Sequence, residues 1–120
     1  MSFKKLLAYQ KGFDLAMAIF EISKSFPTEE KYSFTDQIRR SSRSICANLS
    51  ESYRKRKYPK HFVSKLTDSD AENSETQVWL QFAFSCNYLN AKKFDELTSS
   101  SEEVGKLIQF MINNPSKFGA

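Results

Sequence analysis

"FDELTSSSEEVGKLIQFM", residues 94–111, decides the fold. Phe94, Leu97, Ser101, Val104, Ile108 and Met111 recur at steps of 3, 4, 3, 4 and 3. That rhythm keeps one stripe facing a neighbour along a straight helix, and it is the pattern of left-handed bundle packing. Asn90 is suited to cap the helix, and Asn113, Asn114 and Pro115 stop it. The helix is therefore expected over about 91–113. It needs partner helices to bury its stripe.

The rest of the chain supplies three. A first helix is expected over about 5–26. Leu6, Tyr9, Phe13, Met17 and Phe20 mark one face, and Leu15, Ile19, Ile22 and Phe26 mark a second. Two apolar faces exceed what one side of a bundle hides, which points to the bundle centre or to an additional contact between subunits. Pro27 ends this helix. A second is expected over about 34–56, with Ser33 as N-cap and Asp36 in its first turn, where a negative charge suits the helix dipole. Ile38, Ser42, Ile45, Leu49 and Ser52 form its inward stripe. Tyr58-Pro59 breaks it, and Pro59 then suits the first position of a third helix, expected over about 59–89. Phe62 and Leu66 open the apolar face of that helix, and Val78, Trp79, Phe82, Cys86 and Leu89 close it. The connections are short, so neighbouring helices run antiparallel. The expectation is an all-α, up-down-up-down antiparallel four-helix bundle, one domain over residues 1–120.

Composition agrees. The chain has 120 residues, enough for one core, with only three glycines and three prolines but eleven phenylalanines. No apolar run approaches the roughly 20 residues that span a bilayer. The first residues carry charges and no cleavage site, so a cytoplasmic location without membrane contact is expected. Cys46 and Cys86 lack a CxxC spacing and read as reduced thiols. The net charge of +4 is unevenly placed. Residues 1–60 hold 13 Lys/Arg against 6 Asp/Glu, net +7, and residues 61–120 hold 5 against 8, net −3. The halves attract each other, and the basic half also suits an anionic partner.

Helices 2 and 3 are unusually polar. "TDSDAENSETQ", residues 67–77, has Ala71 as its one apolar residue. Asp70, Asn73 and Gln77 share a face, and Asp68, Glu72 and Glu75 share another. Helix 2 offers Arg39, Arg40 and Arg43. Either the acidic helix pairs with the basic one in a partly solvated groove, or the polar seam meets another subunit and sets its orientation. Asn48 lies among Ser41, Ser42, Ser44, Cys46, Ala47 and Ser50, which present little bulk. It reads equally as a hydrogen-bonding residue or as a tolerated surface asparagine.

"DQIRRSSRSICANLSE", residues 36–51, resembles a family motif close to DQLRRAAxSIxANIAEG. Asp36, Gln37, Arg39, Arg40, Ser44, Ile45, Ala47, Asn48 and Glu51 match, and Ile38 and Leu49 are conservative changes. "SETQVWL", residues 74–80, resembles the second motif, with Glu75 in its glutamate position, and "FSCNYL", residues 84–89, resembles the family's close to helix 3. The family is that of four-helix bundles encoded in intervening sequences of 23S rRNA genes. Ser52 departs from its usual glycine, Arg43 from a small or apolar residue, and Ser41 and Ser42 from alanines. The resemblance implies a ring-like homopentamer, with Asp36, Gln37, Arg39, Arg40, Asn48, Glu51 and Glu75 as structural or interface positions. A related branch, the accessory proteins of diversity-generating retroelements, looks like the same barrel, binds nucleic acid and works with a reverse transcriptase.

Function is bounded by what the residues offer. Arg54, Lys55, Arg56, Lys57 and Lys60 form a basic cluster at a helix end, beside Tyr53, Tyr58 and His61. Cations contact phosphates and aromatics stack on bases, so RNA or DNA is the candidate partner, with Arg39 and Arg43 as further candidates. The plainer reading is a solubilising loop that also interacts with the carbonyl end of helix 2. Catalysis is not expected: His61 is the single histidine, no Glu-x-x-His pair exists, and no Gly-rich phosphate loop is present. No metal or cofactor is expected. The alternative function is a protein–protein assembly module that binds no nucleic acid.

Overall fold

The computed structural model describes residues 2–120. Four helices carry the fold: α1 (Leu7–Ser23), α2 (Phe34–Arg54), α3 (Pro59–Ser85) and α4 (Ala91–Asn113). Short 3-10 turns at Phe3–Lys5, Thr28–Glu30 and Pro115–Phe118 pack on the ends. Among the described residues there is no strand. Each helix packs on its sequence neighbours, and α1 closes the square against α4. The all-α four-helix bundle is therefore what forms. At about 1.5 Å per residue, the 27 residues of α3 account for most of the 44 Å long axis.

The four buried seams share a 4-3 spacing. They are Ala8, Gly12, Leu15 and Ile19 on α1; Ile38, Ser42, Ile45, Leu49 and Ser52 on α2; and Leu97, Ser101, Val104, Ile108 and Met111 on α4. On α3 they are Phe62, Leu66, Ser69, Asn73, Thr76, Leu80 and Ala83. The α2 and α4 seams are those expected. Of the two faces expected on α1, the one through Leu15 and Ile19 is buried, and the later half of the α3 seam is a correction. On α1 the buried face pairs Leu15 and Ile19 with small residues, because Gly12 comes close to α2: a Cβ there would lie 3.3 Å from Cys46 Sγ and 3.4 Å from Ile45 Cγ2. Phe13 and Met17 of the other stripe stay exposed. On α3 the seam passes through the polar segment and then Leu80 and Ala83, so Val78 and Phe82 face outward.

Those polar core residues find partners within the chain. Ser41 Oγ and Thr76 Oγ1 share a hydrogen bond of 2.9 Å, and Ser69 Oγ donates to the Ile45 carbonyl at 2.8 Å. Asn73 Nδ2 donates to the Ser101 carbonyl at 2.9 Å, and Ser101 Oγ donates back to Asn73 Oδ1 at 2.7 Å. Gln77 Nε2 adds a bond to Ser101 Oγ at 3.0 Å. Buried polar groups are tolerated when paired in this way. The small hydroxyl side chains on both α2 and α3 also explain why these two helices make the most extensive pairing.

The helix ends correct three further expectations. α1 stops at Ser23, not Phe26, because the amides of Ser25 and Phe26 turn back to Ile22 and Ser23 with i→i−3 bonds, and Ser25 Oγ also donates to the Ile22 carbonyl. Ser33 does occupy the N-cap position of α2, but its hydroxyl points to the Glu30 carbonyl and carboxylate and caps nothing. α3 stops at Ser85, four residues before Leu89. Asn87 adopts φ 63°, the Tyr88 amide donates to the Ala83 carbonyl, and the Asn87 amide donates to that of Phe84. This pair of bonds around a left-handed asparagine is a Schellman termination. α4 spans the residues expected, and Asn90 Oδ1 accepts the Lys93 amide at 2.7 Å as its cap.

Candidate nucleic-acid interface and the motif face of α2

The motif residues of α2 divide by direction. Arg39 reaches toward α1: its Nε donates to Ser23 Oγ at 2.8 Å, and its guanidinium lies 4.9 Å from the centre of the Phe20 ring. Arg43 is exposed and rests over the same ring at 5.6 Å. Arg40 reaches toward α3. Its Nε donates to Gln37 Oε1 at 3.1 Å, its Nη1 to Glu72 Oε2 at 3.0 Å, and its Nη2 to Glu75 Oε2. Glu75 also accepts from Trp79 Nε1 at 3.0 Å. Asp36 is exposed in the first turn of α2. Farther along, Asn48 Nδ2 donates to the Ser44 carbonyl at 2.9 Å, while its Oδ1 accepts from Lys65 Nζ at 3.4 Å. Lys65 also pairs with Glu51 at 2.8 Å and with Asp68 at 3.7 Å. Asn48 is thus a hydrogen-bonding residue that links α2 to α3. Lys65 was not singled out from the sequence, although it is the one cation between residues 61 and 91.

The polar contacts that form lie within one chain and follow the first reading, the pairing of α2 with α3. Arg40 with Glu72 and Glu75 is the acid–base pairing of α2 with α3, at the surface. Asn73, Ser69 and Thr76 are inside the bundle, on partners in the same chain.

The Trp79 hydrogen bond, aided by Arg40, holds the Glu75 carboxyl below the ordinary carboxylate range, and the same contact with Glu75 raises the Arg40 guanidinium. A folded-state pKa below the unfolded value contributes stability that is fully present above the unfolded pKa and is lost as pH falls through the folded one. Acid titration of stability should accordingly have a shallower fall below about pH 4.5 in Glu75→Gln than in the parent. Urea midpoints measured from pH 7 down to pH 3 read this, and parallel curves for the two proteins would contradict it.

The basic cluster caps the end of the bundle where α2 hands over to α3. Arg54 closes α2, Lys55 is its C-cap, and Pro59 begins α3. Arg54, Lys57, Lys60, Tyr58 and His61 are exposed, and Lys55 is half-buried. Among the described residues Arg54, Lys57 and Lys60 form no ion pair. Tyr58 and His61 meet edge to face, 5.9 Å between centres, and Arg54, Lys55, Tyr58 and His61 line a shallow concavity. Arg56 behaves differently. It folds back over Tyr53, 3.6 Å from the ring centre, donates from Nε to the Tyr53 carbonyl at 2.9 Å, and reaches the Phe118 carbonyl at 3.5 Å. Gly119, at φ 86°, leaves room for it, since a Cβ there would stand 3.2 Å from Arg56 Nη1. Arg56 thus satisfies helix-end carbonyls, as the plainer reading of this cluster has it.

Other chemistry is sparse. Among the described residues no three His, Cys, Asp or Glu side chains gather as a metal site. Among the described residues no helix is long and apolar enough to cross a membrane. Cys46 is half-buried, and burial, with Asp14 nearby, pushes its thiol up to about 12.

Fold and surface together define a class: a four-helix bundle whose second helix carries a motif directed at both neighbours and ends in a basic loop. Residues 4–110 match the model of the 23S rRNA-intervening sequence proteins, and the chain belongs to that family. It is also similar to the crystal structure of a protein of unknown function from the S23 ribosomal protein family of Bacteroides thetaiotaomicron. The identity is 26%, the similarity covers 89% of this chain and 96% of that one, and the TM-score is 0.79. Among curated proteins there is no match.

Proposed function

We propose that this protein is a non-catalytic helical module that assembles with copies of itself, as a pentamer, and binds RNA or DNA through the loop between α2 and α3. The observation that carries the nucleic-acid part is the grouping of Arg54, Lys57 and Lys60, exposed and, among the described residues, outside any ion pair, beside exposed Tyr58 and His61 at one end of the bundle. Cations of this kind meet phosphates, and accessible rings stack on unpaired bases. Repetition by symmetry multiplies one modest site into several, so a strand long enough to touch two or more gains avidity. Arg39 and Arg56 are not part of this surface, because each is spent on contacts within the chain.

Fluorescence anisotropy with labelled single-stranded RNA and DNA tests the reading. Three cations per protomer correspond to a log–log salt slope of about −2 for each protomer engaged on a single strand. Arg54→Ala/Lys57→Ala/Lys60→Ala should weaken binding about tenfold or more at low salt and flatten the slope. Arg56→Ala should leave the slope unchanged. Absence of salt-dependent binding would leave the second reading, an assembly module without nucleic acid, which is favoured by the inward fold of Arg56 against the C-terminal turn.

A further inference from the structure

Two apolar stripes stay uncovered when the bundle forms. On α1, Phe13 and Met17 are 49% and 44% exposed; on α3, Val78 and Phe82 are 46% and 54% exposed. Each pair is spaced i, i+4, so each makes a line along its helix. Both lines adjoin α2. The α1 line continues into Phe20, which lies beneath Arg39 and Arg43 of α2. The α3 line continues into Trp79, which packs on Phe82 at 6.0 Å and on Phe34 of α2 at 5.7 Å, and whose indole is bonded to Glu75. The edges differ in charge. Lys24, Arg39 and Arg43 all sit over Phe20. Asp68, Glu72 and Glu75 run along α3, with Lys65 and Arg40 as their counter-charges.

We infer that the Phe13–Met17 stripe of one copy docks on the Val78–Phe82 stripe of the next copy. This rests on the self-assembly proposed above and assigns its surfaces. A two-fold contact through one stripe alone would lay that stripe against itself, bring like-charged edges together, and leave the other stripe bare. A head-to-tail contact covers both stripes with one kind of interface and sets the basic edge of α1 and α2 toward the acidic edge of α3. Both stripes lie beside α2 and not on opposite sides of the bundle. Successive copies therefore turn in one direction, as a ring requires, with the outer face of α2, including Arg43 and Ala47, toward the axis.

Cysteine cross-linking separates the alternatives. In a Cys86→Ser background, Met17→Cys and Phe82→Cys are made singly and together, and Cys46 is kept because it is half-buried. Under mild oxidation the double variant should give a ladder of covalent oligomers. A mixture of the two single variants should give dimers, and either single variant alone should stay uncross-linked. Phe13→Glu and Val78→Glu should each yield a monomer by light scattering with unchanged helical circular dichroism. Covalent dimers from one single variant alone would overturn the head-to-tail contact. An oligomer by light scattering that neither cross-links in the double variant nor dissociates in the glutamate variants would overturn these surfaces while self-assembly stands. A parent protein that is monomeric at every concentration would remove both.

Discussion

Phe62→Ala should lower the free energy of unfolding by about 3–5 kcal/mol, the largest single-site loss expected in this chain. Phe62 is fully buried, in the first turn of α3. Its ring fills the core one turn beyond the basic loop, and no neighbour can collapse fully into the space that alanine would leave. A small domain has only about 5–15 kcal/mol in total, so the variant should be partly unfolded near physiological temperature. The loss also reaches the proposed interface, because the same turn carries Lys60 and His61. Urea denaturation followed by circular dichroism measures it. Lys60→Ala, two residues away and exposed, is the control and should shift stability by no more than about 0.5 kcal/mol. A Phe62→Ala loss below about 1 kcal/mol would mean that the ring is not packed as described.

Asn73→Ala is the second, with an expected loss of about 2–3 kcal/mol. Asn73 is buried, and its amide exchanges two hydrogen bonds with Ser101. Truncation leaves a void and removes the oxygen to which the Ser101 hydroxyl donates. Gly105 makes the site more specific, since a Cβ there would lie 3.1 Å from Asn73 Nδ2. Gly105→Ala should therefore cost more in the parent than in Asn73→Ala, where the added methyl meets space instead of the amide. A double-mutant cycle reads that coupling, and strictly additive losses would show that the two residues do not touch. Asn73→Asp should be worse than Asn73→Ala at neutral pH, because a carboxylate has no proton to donate to the Ser101 carbonyl. Part of that difference should return in acid, where the carboxyl carries a proton.

The sequence made α4 legible in full because every local signal agreed: a cap at Asn90, an unbroken 4-3 rhythm and a stop at Asn113. α2 was nearly so. α1 was ambiguous for a physical reason. Periodicity shows that a face is apolar, not which of two apolar faces is buried, and the choice fell to the face bearing Ala8, Gly12 and Ala16, which lets α2 approach. The end of α3 was overrun because Leu89 continues the apolar pattern, while the left-handed turn at Asn87 interrupts the helix. That signal was present, since asparagine is a common residue after a helix end. The buried Asn73 was grouped with Asp70 and Gln77, which flank it, because composition alone does not separate a polar core position from a polar surface. In the sequence the basic cluster presents five like cations, and only the fold shows Arg56 turned inward onto Tyr53 and Phe118.

The hydroxyls and amide along α3 have a mechanical consequence. Rods sealed only by leucines can slide past one another by seven residues and still find oil against oil. Here such a shift would set Leu66 or Leu80 against Ser101, leave Asn73 among side chains that offer it nothing, and part Ser69 from the Ile45 carbonyl in the same stroke. The polar belt acts as a detent that holds α3 at a single setting along its length.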